Sequence, residues 1–385
     1  NLTTKCKNPF IFTTKKLKFL IFELFNLSIL FMKIGIVCYP TFGGSGVVAT
    51  ELGMALANKG HEIHFITYNQ PVRLDFISNN LHFHEVVMEE YPLFQYQPYE
   101  LALSSKMVEV VQKYNLEVLH VHYAIPHAYA AFMAKKMLQE KGINVKVVTT
   151  LHGTDITLVG SHPTYKTAVE FSINNSDVVT AVSNSLKKST NELFNIKNDI
   201  KVVYNFIDVN KYEKAGQEEC KRASIAKPNE KILTHISNFR PVKRTEDIIK
   251  IFNLVQKEIP SKLLMVGDGP DRIKTERLAR QLGLSKKVLF LGNSVEIDKI
   301  LCYSDIFLLP SQTESFGLAA LEAMAANTAV ISTNTGGLPE VNIHGETGFL
   351  SNLGDVDDMA KNAIYLLKDD TILEQFKRNA RENTK

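Results

Sequence analysis

At 385 residues the chain is longer than one ordinary hydrophobic core requires and fits two domains of the usual size. With 45% apolar and 22% charged residues and no long like-charge or low-complexity run, it is not a disordered chain. The 44 basic and 41 acidic residues nearly cancel to +3, so the overall charge does not favour nucleic acid, and any anion site must be local.

Lys15, Lys16 and Lys18 precede an apolar run over 19–31, in the manner of a signal peptide. Glu23 and Asn26 interrupt that run, no small-residue cleavage site follows, and a spanning helix needs about 20 apolar residues. Residues 1–31 therefore read as an extension outside the native fold, with a membrane-associating segment as the rival reading and no stable span expected.

From Met32 onward, short β-branched runs alternate with amphipathic helical stretches, the pattern of parallel sheets covered by helices. A first series of strands is predicted at 33–39, 62–67, 118–122, 145–152 and 178–182. A second is predicted at 232–237, 262–266, 288–291, 306–310 and 329–333. Strands apolar on both faces belong to buried parallel sheets. The expected fold is α/β, with two doubly wound domains at 32–205 and 206–370 facing a central cleft, a hinge near Asn205, and a partial C-terminal helix at 371–385. Cys6, Cys38, Cys220 and Cys302 lie far apart with no C-x-x-C, which argues against a zinc knuckle or redox pair and fits a reducing cytoplasm.

The motifs that carry chemistry sit at predicted strand ends. Gly43-Gly44-Ser45-Gly46 follows the first strand and opens a helix, exposing backbone N–H groups to an anion; a tight turn without a ligand is the alternative. His120-Val121-His122 puts two imidazoles on one face of a strand, as metal ligands, cleft-lining groups or buried hydrogen-bonded histidines. His152 and Asp155, in a polar turn after Thr149 and Thr150, either bond sugar hydroxyls or form an Asx or N-cap turn.

In the second half, Ser237-Asn238-Phe239-Arg240-Pro241-Val242-Lys243-Arg244 places three cations just beyond a strand, where they can stabilise a diphosphate leaving group or start a solvated helix. Gly267-Asp268-Gly269 makes another glycine turn against which a nucleotide can lie. Glu314-Ser315-Phe316-Gly317-Leu318 and then Glu322 put two carboxylates eight residues apart around a helix start. Sugar hydroxyls would satisfy both carboxylates while the amides hold a phosphate; a capping carboxylate plus a buried ion pair is the alternative.

These motifs resemble glycosyltransferase family 4 from Met32 nearly to the end, through the Glu314/Glu322 pair with Phe316-Gly317, the Gly43-Gly44 loop, Lys243 and Gly267-Asp268-Gly269. The resemblance implies a GT-B fold and a retaining transfer, with Lys243 and Arg240 on the diphosphate, assisted by amides of Gly44, Gly317 and Leu318. It also implies Glu322 on the ribose, Glu314 orienting the sugar, and His152 with Asp155 at its reactive face. Family members commonly carry arginine where this chain has Asn238, and they usually end in a helix that crosses back onto the first domain.

Within the family, the segments 39–46, 120–127, 151–155 and 237–244 resemble enzymes that use UDP-N-acetylglucosamine (UDP-GlcNAc) as donor and L-malate as acceptor, in the first step of bacillithiol synthesis. That resemblance implies no metal and no cofactor beyond the donor, and it leaves a homo-oligomer open. Ser45, Tyr96, Tyr99, His120 and Thr150 are candidate acceptor donors, Arg73 a candidate charge, and the two tyrosines equally packing residues. A lipid or polysaccharide acceptor, a UDP-sugar 2-epimerase and a binding-only homologue are the competing functions.

Overall fold

The computed structural model describes residues 31–74, 78–89, 96–212 and 222–384. The readings made on 1–30, Cys6 and Cys220 lie outside these residues. The first sheet holds β1 (Lys33–Val37), β2 (Glu62–Thr67), β3 (Leu81–Glu85), β4 (Val118–His122), β5 (Lys146–Leu151), β6 (Val178–Ala181) and β7 (Ile200–Val202). Their order is β3-β2-β1-β4-β5-β6-β7, and every pairing is parallel.

The second sheet holds β8 (Lys231–Ile236), β9 (Ser261–Val266), β10 (Val288–Gly292), β11 (Ile306–Leu309), β12 (Ala329–Thr333) and β13 (Gly348–Ser351). It is also parallel, in the order β10-β9-β8-β11-β12-β13. Both sheets reverse their winding beside the first strand of each series, between β1 and β4 and between β8 and β11. Ligands of open parallel sheets bind outside the carboxyl ends of the strands at such a reversal. The two-sheet expectation holds, and the chain passes from one sheet to the other between Val202 and Lys231.

Three strands went unread in the sequence. β3 is a half-exposed edge strand, Leu81-His82-Phe83-His84-Glu85, that alternates polar with apolar residues, whereas the prediction sought runs apolar on both faces. β7 has three residues and β13 four, too short for a period to register.

The core crosses the domain boundary. One buried cluster includes Val182 and Leu186 of the first half together with Phe316 and Leu338 of the second. At the same seam, the helix Asn184–Leu193 starts on Ser183, whose Oγ accepts from Leu186 N at 3.0 Å and donates to Ser315 O at 2.6 Å. The Glu340 carboxylate of the second domain accepts the N–H groups of Asn184 (2.9 Å) and Ser185 (2.8 Å), an anion placed on the positive end of that helix.

The last helix, Asp370–Glu382, starts on Asp369, which accepts from Thr371 N at 2.8 Å. It stays on the second domain, where Leu373 and Ala380 are buried, rather than crossing to the first. No helix of the described residues is long and apolar enough to cross a membrane.

Candidate active site

A cavity of about 1300 Å³ lies between the carboxyl ends of the two sheets, walled by both domains. On the second-domain wall, the 3-10 turn Pro241–Lys243 lifts Lys243 beyond β8. Its Nζ donates to Glu314 Oε2 at 2.6 Å, and both side chains are mostly buried, at 19% and 17% exposure. Arg240 is exposed on the same wall, and among the described residues it has no ion-pair partner. One cation is thus held by an internal carboxylate while its neighbour faces the open cleft. An arriving anion can bind Arg240 directly and draw Lys243 from Glu314, freeing that carboxylate to accept another hydrogen bond.

The helix Leu318–Ala325 opens onto the cavity without a side-chain cap, so its first amides at Leu318 and Ala319 are available to an anion. Gly317 precedes it at φ +102°. Ser315, Phe316, Gly43 and Gly44 share the wall, and a Cβ on Gly44 would sit 3.7 Å from Leu318 Cδ2, so the two glycine-rich starts meet across the cleft.

Ser237 is less available than the sequence suggests. His235 Nδ1–H donates to Leu308 O (2.8 Å), which leaves His235 Nε2 to accept the Ser237 hydroxyl proton (2.7 Å), while Ser237 Oγ accepts Phe239 N–H (3.2 Å). Its hydroxyl shapes the loop, and one lone pair remains for a ligand. Gly267 has φ +117°, and a Cβ there would lie 1.7 Å from Ser237 O, so only glycine lets these two loops meet. Asp268 lines the cavity but is tied to Gly269 N (2.8 Å) and Arg272 (3.2 Å); Gly269 itself lies behind the wall.

Glu322 is buried and accepts from Tyr212 OH at 3.0 Å, with the Arg73 guanidinium at 3.5 Å. Burial raises its pKa, and Arg73 and the Tyr212 hydroxyl oppose that rise. Arg73 also lies 3.5 Å from Glu51. The residue read as a charge for malate therefore bridges carboxylates of both domains. Tyr212 belongs to no motif, and the sequence carried no signal for it.

On the first-domain wall Asp155 departs from its expected role. Its Oδ1 accepts Gly153 N (2.9 Å) and His152 N (3.2 Å), and its Oδ2 accepts Ala124 N (2.9 Å). Three of its acceptor sites join the loops after β4 and β5, so Asp155, though it lines the cavity, acts chiefly through the backbone, as the Asx-type reading has it. His152 is on the wall and its Nε2 pairs with His122 Nδ1 at 2.8 Å.

Ser45 Oγ is 3.0 Å from Tyr123 OH, and Tyr99 brings to the same wall a buried hydroxyl that has no partner among the described residues. Tyr96 is 82% exposed and off the cavity wall. His120 and Thr150 bond one another at 2.8 Å on the sheet and do not line the cavity.

Burial holds His120, His127 and His235 at about 4, His152 at about 3, and His122 well below the ordinary value. Each stays neutral in the fold and would take a proton on unfolding, so their contribution to stability is full above about pH 6.5 and falls as the pH drops toward 4. Asp155, which burial raises to about 6, and Glu322, which burial also raises, act in the opposite sense, two groups against these five. Each pH unit between folded and unfolded values is worth about 1.4 kcal/mol per group. Thermal melts from pH 7.5 to 4.5 should therefore show a loss of several kcal/mol, and a flat profile would contradict the neutral, buried assignment.

Two family profiles divide the chain: Glycosyltransferase Family 4 matches residues 42–211 and Glycosyl transferases group 1 matches 216–383. N-acetyl-alpha-D-glucosaminyl L-malate synthase of Bacillus anthracis is 51% identical over 91% of this chain and 92% of its own. An uncharacterized glycosyltransferase of Methanocaldococcus jannaschii is 27% identical over 91% and 93%. The Anabaena protein HepE, solved with UDP and glucose, has the same fold, with a TM-score of 0.74 at 18% identity over 92% of this chain and 94% of its own.

Two facing parallel sheets with cations and helix starts at their shared cleft define a glycosyltransferase of the GT-B fold. The chain belongs to glycosyltransferase family 4.

Proposed function

We propose that the chain transfers N-acetylglucosamine from UDP-GlcNAc to the hydroxyl of L-malate, with retention at the anomeric carbon and release of UDP, as the first step of bacillithiol synthesis in the cytoplasm. The observation that carries this reading is the 51% identity to the Bacillus anthracis synthase over nine-tenths of both chains. Residues 206–370 would hold the nucleotide sugar and 32–205 the acceptor.

In this reading the bond from the anomeric carbon to the phosphate oxygen breaks as the malate oxygen attacks from the same face. The malate proton passes to the departing diphosphate. Lys243 and Arg240 supply positive charge where the diphosphate gains negative charge, and the free amides at Leu318 and Ala319 add to it. Glu314 orients the sugar once Lys243 turns away. His152, neutral at working pH, positions a hydroxyl and does not act as an acid.

The test is an acceptor screen with UDP-GlcNAc, read by UDP release and product mass. Malate should raise UDP release well above the rate without acceptor and yield a GlcNAc-malate adduct. Equal release with malate, inositol phosphate and no acceptor would sink the malate assignment, and epimer formation without acceptor would replace it. Because Lys243 and Arg240 would supply the charge at the diphosphate in this reading, EDTA should leave turnover unchanged; strong inhibition would implicate a metal in the transfer.

A further inference from the structure

A second polar cluster lies on the other side of the first domain. Glu62 and His64 alternate along β2, and His82 and His84 along β3, with His64 opposite His82 and Ile66 opposite His84. All four polar side chains therefore share one face of the sheet. His64 Nε2 is 3.0 Å and His82 Nε2 3.7 Å from the same atom, Glu62 Oε1. The ligating atoms of the three residues lie within 4.8 Å of one another. None of the four lines the cleft: they start from the amino-terminal half of β2 and from the edge strand β3, whereas the cleft lies at the carboxyl ends.

We propose that Glu62, His64 and His82 bind a divalent transition ion of the zinc class. Ligands about 2.0–2.2 Å from a tetrahedral ion sit about 3.3 Å apart, and the separations of 3.0 and 3.7 Å straddle that value. Two imidazoles with one carboxylate suit zinc and its neighbours, whereas magnesium and calcium take oxygen ligands.

The surroundings fit a ligand set. His64 Nδ1 is 2.8 Å from His84 Nε2, so His64 can donate its Nδ1–H there and present the Nε2 lone pair to the ion. Lys33 binds the other carboxylate oxygen, Oε2, at 3.1 Å and leaves Oε1 free for the metal. The His64 side chain is wholly buried, while Glu62 is 31% and His82 37% exposed, which gives an inner anchor, an entry path and room for a water as fourth ligand. The ion would clip the edge strand β3 to β2, a structural role separate from sugar transfer.

The full chain, stripped with EDTA and dialysed, is titrated with Zn²⁺ by calorimetry and with Co²⁺ by visible absorption. About one equivalent should bind, with the intense visible bands of a tetrahedral cobalt site, and saturating Zn²⁺ should raise Tm by about 3 °C or more. His82→Ala, at a partly exposed position, should weaken binding at least about 10-fold and abolish the Tm rise while leaving turnover unchanged. Glu62→Gln should weaken binding in the same direction. The proposal fails if no saturable equivalent binds, if His82→Ala binds like the parent, or if His152→Ala in the cleft removes the binding instead.

Discussion

Replacing Lys243 with alanine should lower kcat by about 10²- to 10³-fold, the usual cost of removing one preorganised charge from a site where charge develops. The side chain sits on the cleft wall, mostly buried, and 2.6 Å from Glu314. In the resting chain it neutralises that carboxylate; in the transfer it would move to the diphosphate. The substitution removes both functions, because the departing phosphate loses a cation and Glu314 is left without a partner to compete for the sugar. Arg240 remains nearby and would preserve part of donor binding, so the loss should fall more on kcat than on KM. Glu314→Ala should also abolish most turnover by releasing the sugar from its orientation. Circular dichroism should show both variants folded, and near-parental UDP release from either would show the cleft to be misassigned.

Gly153→Ala should reduce kcat/KM by about 10²-fold or more, because displacements near 1 Å at a reacting centre cost about that much. Gly153 has φ +109°, and a Cβ there would meet Ser315 Oγ at 1.7 Å and Ser315 Cβ at 2.8 Å. Ser315 belongs to the facing domain and its carbonyl is bonded to Ser183, so its Oγ can swing aside but its Cβ moves only with the backbone that closes the cleft. The backbone strain alone should also cost about 1–3 kcal/mol of stability. Gly142→Ala separates the two effects, since Gly142 has φ +74° and none of the described residues comes within 4 Å of its added Cβ. That control should lose stability and keep activity. Equal activity in the two variants would refute the idea that close approach at Gly153 sets the cleft.

The residues that marked this site in the sequence did so through local physics. Lys243, Glu314 and the glycine turns stand just beyond the ends of buried strands, with Glu322 on the helix that follows one of them, and the strand-end position alone predicts ligand contact in a parallel sheet. What they bond to was another matter. Asp155 and His152 form one motif, yet the carboxylate serves backbone amides and the imidazole faces the cleft. Glu322 and Arg73 were read as ligands for different substrates and lie 3.5 Å apart. His120 and Thr150, candidates at strand ends, bond each other away from the cavity, whereas Tyr212, in no motif, bonds the cavity-lining Glu322 from behind.

The sequence by itself determined the two parallel sheets, their order of strands along the chain and the loops that carry the chemistry, because hydrophobic period and turn residues report burial and backbone geometry within a few residues. Only the tertiary structure decided which charged groups are free and which are already paired. Arg73 with Glu322, Ser183 with Ser315, and Glu62 with His82 join residues far apart in the chain, and no local pattern records a contact that forms only when separate elements pack.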